Sequence, residues 1–244
     1  ILNQTYQNFE FLIINDGSTD ESDEIIRSYS DPRIVYLQND RNLGLVYTLN
    51  YGISIAKGEF IARMDADDVS KPIRFKRQIN LFENDPEIGL CGSWARIIGT
   101  MKVLKVETDN DRIKCKLLFR SQFTHSSVIF RREQFLSNSL IYKQENYPAE
   151  DYALWIDSST KIKMANIPEY LVDYRVHASQ ISTESSTRQQ KKTNELRIKQ
   201  FELFLNRKPT EEEKNNHINF IDTKSYIDGS DDIKKMEQWI INLI

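Results

Sequence analysis

Asp65-Ala66-Asp67-Asp68 places three carboxylates within four consecutive residues, directly after the apolar run Glu59 to Met64. On so short a loop, carboxylates can share a hard divalent cation, magnesium or manganese, whose remaining positions take oxygen atoms from a phosphate. The same three acids could equally form a solvated turn that caps the following helix. A calcium loop of the EF-hand type is disfavoured, because Ser70 and Lys76 stand where that motif needs glycine and glutamate.

Other residue types with chemical use lie at similar places. Asp16, in Asn15-Asp16-Gly17-Ser18, can accept hydrogen bonds from a nucleobase or ribose, although Asp-Gly is also ordinary turn chemistry. Arg63 shares strand parity with Asp65, so it points to the same side, toward ligand phosphates or into an ion pair with a neighbouring acid. Glu150-Asp151 opens a predicted helix, where the helix dipole should lower a carboxylate's pKa and keep it ionised. Such a carboxylate can take a proton from a hydroxyl, or merely cap the helix. His125 and His177 are two of three histidines. Either could contact a diphosphate or a sugar hydroxyl, and His177 could offer a nitrogen to the metal.

These residues need strands and helices to hold them. The β-rich run Phe9 to Ile14, the strand Ile34 to Leu37 and the strand Glu59 to Met64 alternate with predicted helices, the second near Leu45 to Ala56 with Gly58 as its C-terminal glycine. Ser18, Thr19 or Asp20 can cap the first helix, and Ser70 with Lys71-Pro72 announces the third. This alternation predicts a parallel, doubly wound sheet with ligands beyond the strands' C-terminal ends, so that Asp16 and Asp65 face one cleft. After Glu87 the pattern becomes α+β, with strands at Gly89 to Ile98, Met101 to Val106 and Ser126 to Arg131. Helices are expected at Asp111 to Phe119 and from Glu150, and a short extended run at Tyr170 to Val176.

With 244 residues and a formal charge of -3, the chain can bury a good-sized core and has no global field to gather nucleic acid. Cys91 and Cys115 lack CxxC spacing, which argues against a disulfide framework or a zinc site and fits a reducing cytoplasm. No apolar run is long enough to span a bilayer, and no signal peptide opens the chain. From Arg188 to Lys208 seven basic residues face two acidic ones, a net of +5, whereas Pro209 to Ile244 carries a net of -4. The shift marks an appendage boundary near Pro209, and the basic helix suits either solvent or peripheral membrane contact.

Taken together, Asn15-Asp16-Gly17-Ser18-Thr19-Asp20, Asn42-x-Gly44, Asn50-x-Gly52-Ile53, Ala56-x-Gly58, Asp65-Ala66-Asp67-Asp68, Glu150-Asp151 and Tyr174-Arg175-x-His177 resemble the family 2 glycosyltransferases of the GT-A fold. The resemblance implies an α/β, Rossmann-like mixed sheet flanked by helices over residues 1–183, with a C-terminal helical appendage at 184–244. It implies inverting transfer of a hexose or N-acetylhexosamine from a UDP-sugar to a hydroxyl of a surface-polysaccharide or lipid-linked glycan acceptor, at the cytoplasmic face of the membrane. Carried over by residue, Asp16 contacts uracil, Asp65 the ribose or metal, Asp67 the metal and diphosphate, and Asp151 is the base. Arg63 joins the donor site, His177 the metal, and Mn2+ or Mg2+ is the cofactor. The chain starts at Ile1, after the apolar first strand and Pro-x-Tyr-Asn type of motif with which family members normally open. That strand is therefore expected to be absent here, as in a fragment or processed chain. Two rival readings remain at this point: a catalytically silent nucleotide-sugar binding module, and an aspartate-dependent phosphotransfer enzyme built on Asp65.

Overall fold

The computed structural model describes residues 1–177 and 186–222. The chain divides into two compact units, Ile1–Thr193 and Asn194–Ile244. The boundary expected at 183–184 lies outside the described residues, as do residues 223–244 of the expected appendage.

In the first unit, β1 (Phe11–Asn15) and β2 (Ile34–Gln38) pair in parallel, with Asn15 opposite Gln38 at their C-terminal ends. The helix α1 (Ser22–Arg27) connects them, and α2 (Leu45–Ile55) follows β2. Asp20 supports the start of α1, since the Ser22 amide donates to its Oδ1 at 3.1 Å. The loops after the two strands interlock. Gly17 has φ +76° and lies so close to the other loop that a Cβ would stand 2.7 Å from Arg41 C and Asn42 N. Gly44 begins α2 with φ +91°, a conformation that costs glycine little and other residues much. The motifs Asn-Asp-Gly and Asn-x-Gly are therefore two halves of one junction. Gly58, expected as the glycine that ends α2, does not have a positive φ. The helix stops at Ile55, and Ala56 leaves it in an extended conformation.

The remaining strands form a second, six-stranded sheet in the order β3-β7-β5-β8-β4, with β6 (Val103–Leu104) on β5. Here β3 (Phe60–Ala62) runs antiparallel to β7 (Ile129–Arg131), with Ile61 opposite Phe130. The third strand thus departs from the all-parallel expectation. A short apolar run carries no mark of direction, and a partner from about seventy residues further on decided it. At the centre, β5 (Ile88–Ile97) pairs in parallel with β8 (Lys163–Tyr174), and β4 (Val69–Ser70) returns antiparallel on β8. Buried on both faces, β5 reads as a run of apolar and small residues, which is what a covered strand requires.

One face is covered by α3 (Arg74–Asn84), whose Phe75 and Phe82 join Ile88, Cys91, Ile129, Ile167 and Leu171 in a common core. Each such large apolar side chain contributes about 1.5–3 kcal/mol on burial. The helix α4 (Asn110–Lys116) is capped by Asp109, which accepts from the amides of Asp111 and Arg112, and α5 (Arg132–Ser137) follows β7 directly. The helix α6 (Glu150–Ser159) is buried nearly all round, Trp155 completely so. Packed into the interior on nearly every side, this helix draws its first turn, with Glu150 and Asp151, out of bulk water.

In the second unit, α7 (Ser186–Leu205, which begins in the first unit) and α8 (Glu211–Asp222) meet through Phe201 and His217, stacked with ring centroids 4.6 Å apart. The start of α8 is a reciprocal cap. Glu213 N donates to Thr210 Oγ1 at 3.2 Å and Thr210 N donates to Glu213 Oε2 at 2.7 Å.

Candidate active site

The end of β3 delivers Arg63 and the acidic loop. Arg63 is buried and donates two parallel hydrogen bonds to the Asp65 carboxylate, the fork geometry in which guanidinium and carboxylate bind most strongly. Ser126, fully buried in a single 3-10 turn before β7, donates from Oγ to Asp65 Oδ2 at 2.7 Å and accepts from Asp65 N at 3.2 Å. Asp65 is therefore a fixed carboxylate, and the ion-pair alternative for Arg63 is the one the structure adopts.

Asp67 and Asp68 are clasped from the other side by the segment that leaves β8. His177 Nε2 lies 2.9 Å from Asp67 Oδ2, Arg175 Nε donates to Asp67 O at 2.7 Å, and Arg175 N donates to Asp68 Oδ1 at 2.7 Å. The carboxylates of Asp65, Asp67 and Asp68 each present an oxygen such that all three lie within 4.8 Å of one another. Asp68 Oδ2 is buried and has no hydrogen-bond partner. Burial raises the Asp68 carboxyl above its ordinary value, with the charges of Asp65 and Asp67 acting in the same sense and hydrogen bonds from Ser126 and Arg175 N opposing the rise. Hard oxygen donors at this spacing suit Mg2+ or Mn2+. Asp68 is one of the three loop acids that the sequence offers to a cation, although the family resemblance gives metal roles only to Asp65, Asp67 and His177. Arg175 lay inside a quoted motif without a role, and Ser126 gave no signal beyond its place after His125.

Asp151 lies within electrostatic reach of this group. Burial raises its carboxyl, while a hydrogen bond from Tyr152 N at 2.7 Å and the charge of Arg63 oppose the rise. The helix terminus had been expected to lower this pKa. The shift runs the other way because desolvation of a charge inside the fold outweighs a helix-end dipole, which is worth at most about 2 kcal/mol. Glu150, 6% exposed, is pushed up to about 7 by burial and then by the neighbouring charge of Asp151, and its Oε2 is buried without a partner. Neither acid caps the helix in the usual way, since Ala149 occupies the N-cap position.

His125 and Asp16 take different places. His125 Nε2 is 2.7 Å from Tyr142 Oη, its ring packs edge-on to Trp155, and burial holds it neutral, well below its ordinary pKa. Tyr142 is in turn held by Asn50, which exchanges hydrogen bonds with its backbone N–H and C=O at 3.0 and 2.8 Å. Asn50-x-Gly52 thus supports a buried wall. Asp16 accepts from Asn39 Nδ2 at 2.7 Å and from Leu43 N and Gly44 N at 2.9 Å, so it braces the loop before α2. Partial burial disfavours its charge, but those hydrogen bonds prevail and its carboxyl sits below the ordinary value. None of its hydrogen bonds reaches the 63–68 loop. The structure pairs Arg63 with Asp65 and His177 with Asp67, brings the two carboxylates together with that of Asp68, leaves Asp151 within electrostatic reach of Arg63 and Asp65, and ties Asp16 to the other sheet.

Comparison with known proteins agrees with this geometry. Residues 1–143 match the family "Glycosyl transferase family 2". The chain is 32% identical over 222 residues to an uncharacterized glycosyltransferase of Haemophilus influenzae, spanning 85% of this chain and 68% of that one. It is 33% identical over 189 residues to the O-antigen biosynthesis glycosyltransferase WbnJ of Escherichia coli, 72% of each chain. Among solved structures, S. aureus TarS 1–349 in complex with UDP superposes with a TM-score of 0.63 at 17% identity, over 98% of this chain and 71% of that one. A mannosyltransferase from Pyrobaculum calidifontis, in complex with GDP-Man and Mn2+, gives 0.60 at 13% identity, over 98% and 73%. The fold is that of the GT-A glycosyltransferases, and the chain belongs to glycosyl transferase family 2. It is a glycosyltransferase enzyme.

Proposed function

We propose that this enzyme transfers a hexose or N-acetylhexosamine from a UDP-sugar to a hydroxyl of a surface-polysaccharide or lipid-linked glycan acceptor, with inversion at the anomeric carbon. The observation that carries the reading is the convergence of Asp65, Asp67 and Asp68 on one small volume, with Asp151 within electrostatic reach. TarS bound to UDP and the mannosyltransferase bound to GDP-Man and Mn2+ support a nucleotide-sugar donor, and the O-antigen biosynthesis role of WbnJ supports a polysaccharide product.

Asp67 and Asp68, with Asp65, would hold Mn2+ or Mg2+, and His177 would serve the metal directly or by orienting Asp67. When bound, the cation supplies charge that offsets the leaving diphosphate. Arg63 fixes Asp65 and adds a positive charge to the donor site. Asp16 braces the loop that would receive uracil, through the hydrogen bonds it accepts from Asn39, Leu43 N and Gly44 N. Asp151 takes the proton of the acceptor hydroxyl as that oxygen forms its bond to the anomeric carbon and the bond to the diphosphate breaks. Its raised pKa makes it a stronger base than an exposed aspartate. One displacement inverts the centre.

The enzyme works at the cytoplasmic face in this reading, with the basic segment Arg188 to Lys208 offering peripheral contact to an anionic membrane surface. Among the described residues no helix is long and apolar enough to cross a membrane. The test is UDP release from a panel of UDP-sugars with Mn2+, comparing the wild type with Asp67→Ala and Asp151→Asn. Undiminished turnover in both variants removes the assignment, whereas UDP binding without transfer or hydrolysis identifies a silent binding module.

A further inference from the structure

Two polar side chains one helical turn apart on α3, Arg74 and Gln78, are completely buried although neither is hydrogen-bonded to a carboxylate. Arg74 Nε donates to Gln78 Oε1 at 3.0 Å. Arg74 Nη2 donates to Arg63 O at 3.0 Å and to Val128 O at 3.1 Å. Gln78 Nε2 donates to Ser127 O at 2.8 Å and to Cys91 O at 3.2 Å. The pair thus binds backbone carbonyls at the end of β3, at the entry to β7 and within β5.

We infer that Arg74 and Gln78 are positioning residues for the transfer reaction: together they set the register of the acidic loop against the segment 126–128 that grips Asp65. The inference rests on the reading of that loop as the donor site. Its logic is the position of the carbonyls. Val128 O accepts from Arg63 N at 3.0 Å as well as from Arg74, so the guanidinium spans the one backbone bond between the loop's root and the turn that carries Ser126. Ser126 Oγ then reaches Asp65. A displacement at Ser127 or Val128 is passed to the carboxylate through a single fully buried side chain.

A role in packing alone would be served better by apolar groups. A buried cation with no carboxylate hydrogen-bonded to it carries a desolvation cost that leucine or methionine would avoid. Burial pushes Arg74 from 12.5 down to about 9, with the like charge of Arg63 acting in the same sense and the charge of Asp68 opposing it. What the guanidinium provides and an alkyl chain does not is several directed hydrogen bonds from one rigid plane.

The experiment compares Gln78→Leu, Gln78→Glu and Arg74→Lys with the wild type by amide hydrogen exchange without metal, and by kcat and donor KM with Mn2+ and the UDP-sugar that the wild type turns over. Gln78→Leu is expected to speed exchange about tenfold in residues 63–68 and 126–128 while β8 keeps its protection. It is also expected to lower kcat about tenfold with little change in donor KM, because a small misplacement acts on geometry more than on affinity. Gln78→Glu keeps the acceptor for Arg74 and should fall between Gln78→Leu and the wild type. Arg74→Lys keeps the charge but not the fork, and should show the same pattern as Gln78→Leu. Unchanged exchange in the two segments, or acceleration spread evenly through β8, overturns the inference, as does a kcat within twofold of the wild type in Gln78→Leu. A wild type with no transferase activity counts against the proposed function, and the exchange measurement then decides the clamp by itself.

Discussion

The substitution Glu150→Gln should change how stability depends on pH. Glu150 is 6% exposed and its carboxyl is raised from 4.5 to about 7, chiefly by burial. The folded protein therefore holds a proton that the unfolded chain releases at lower pH. Below about 4.5 both states are protonated and the group costs nothing; as pH rises toward 7 the unfolded state ionises first, and stability is lost. The rise from 4.5 to about 7, at about 1.36 kcal/mol per pH unit, corresponds to about 3 kcal/mol, most of it developed between about pH 5 and about pH 8. A glutamine side chain at this position cannot ionise, so the variant should gain about 2–3 kcal/mol on the wild type over that interval, whatever constant offset the amide introduces. Urea unfolding of both proteins at the two pH values measures this difference directly. In an Asp151→Asn background it should shrink, because the Asp151 charge is the second cause of the shift. A stability difference between the wild type and Glu150→Gln that stays constant with pH would show that this carboxyl does not titrate in a desolvated site, and the reasoning about the first turn of α6 would fail.

Asp151→Asn should lower kcat by roughly 10²–10⁴ with the variant still folded, as expected for loss of a general base. In the wild type, kcat should fall as acid protonates Asp151, at a pH above that of an ordinary aspartate, and this limb should vanish in the variant. Asp67→Ala should raise the Mn2+ concentration for half-maximal activity at least about tenfold, and His177→Ala should weaken metal binding about 10–100-fold if the imidazole acts by orienting Asp67. Electron paramagnetic resonance of free Mn2+ reads both effects, and equal binding by all three proteins would remove the metal assignment. Asp16→Ala should cost about 1–3 kcal/mol, since it leaves Leu43 N and Gly44 N without their acceptor, and should speed amide exchange at 39–44. An unchanged loop would mean that Gly17 packing alone holds the junction.

Much of this protein is local and was therefore readable from residues in order. The glycines at positions 17 and 44, the acids that end β3, the amphipathic helices near 45 and 74 and the buried strand near 90 depend on turn chemistry and periodicity, which short segments carry within themselves. The longer reach of β8, from Lys163 and not Tyr170, was not visible, because its first half contains Asn166 and Pro168, residues that strands usually avoid. What only tertiary structure decided involves partners far apart in the chain. The direction of β3 depended on β7, and the bracing of Asp65 depended on Ser126, 61 residues away. The sign of the Asp151 shift depended on how deeply α6 is buried. The charges of a loop can be counted in a sequence, but desolvation and strand pairing are properties of what surrounds it, and that is settled only when distant segments come together.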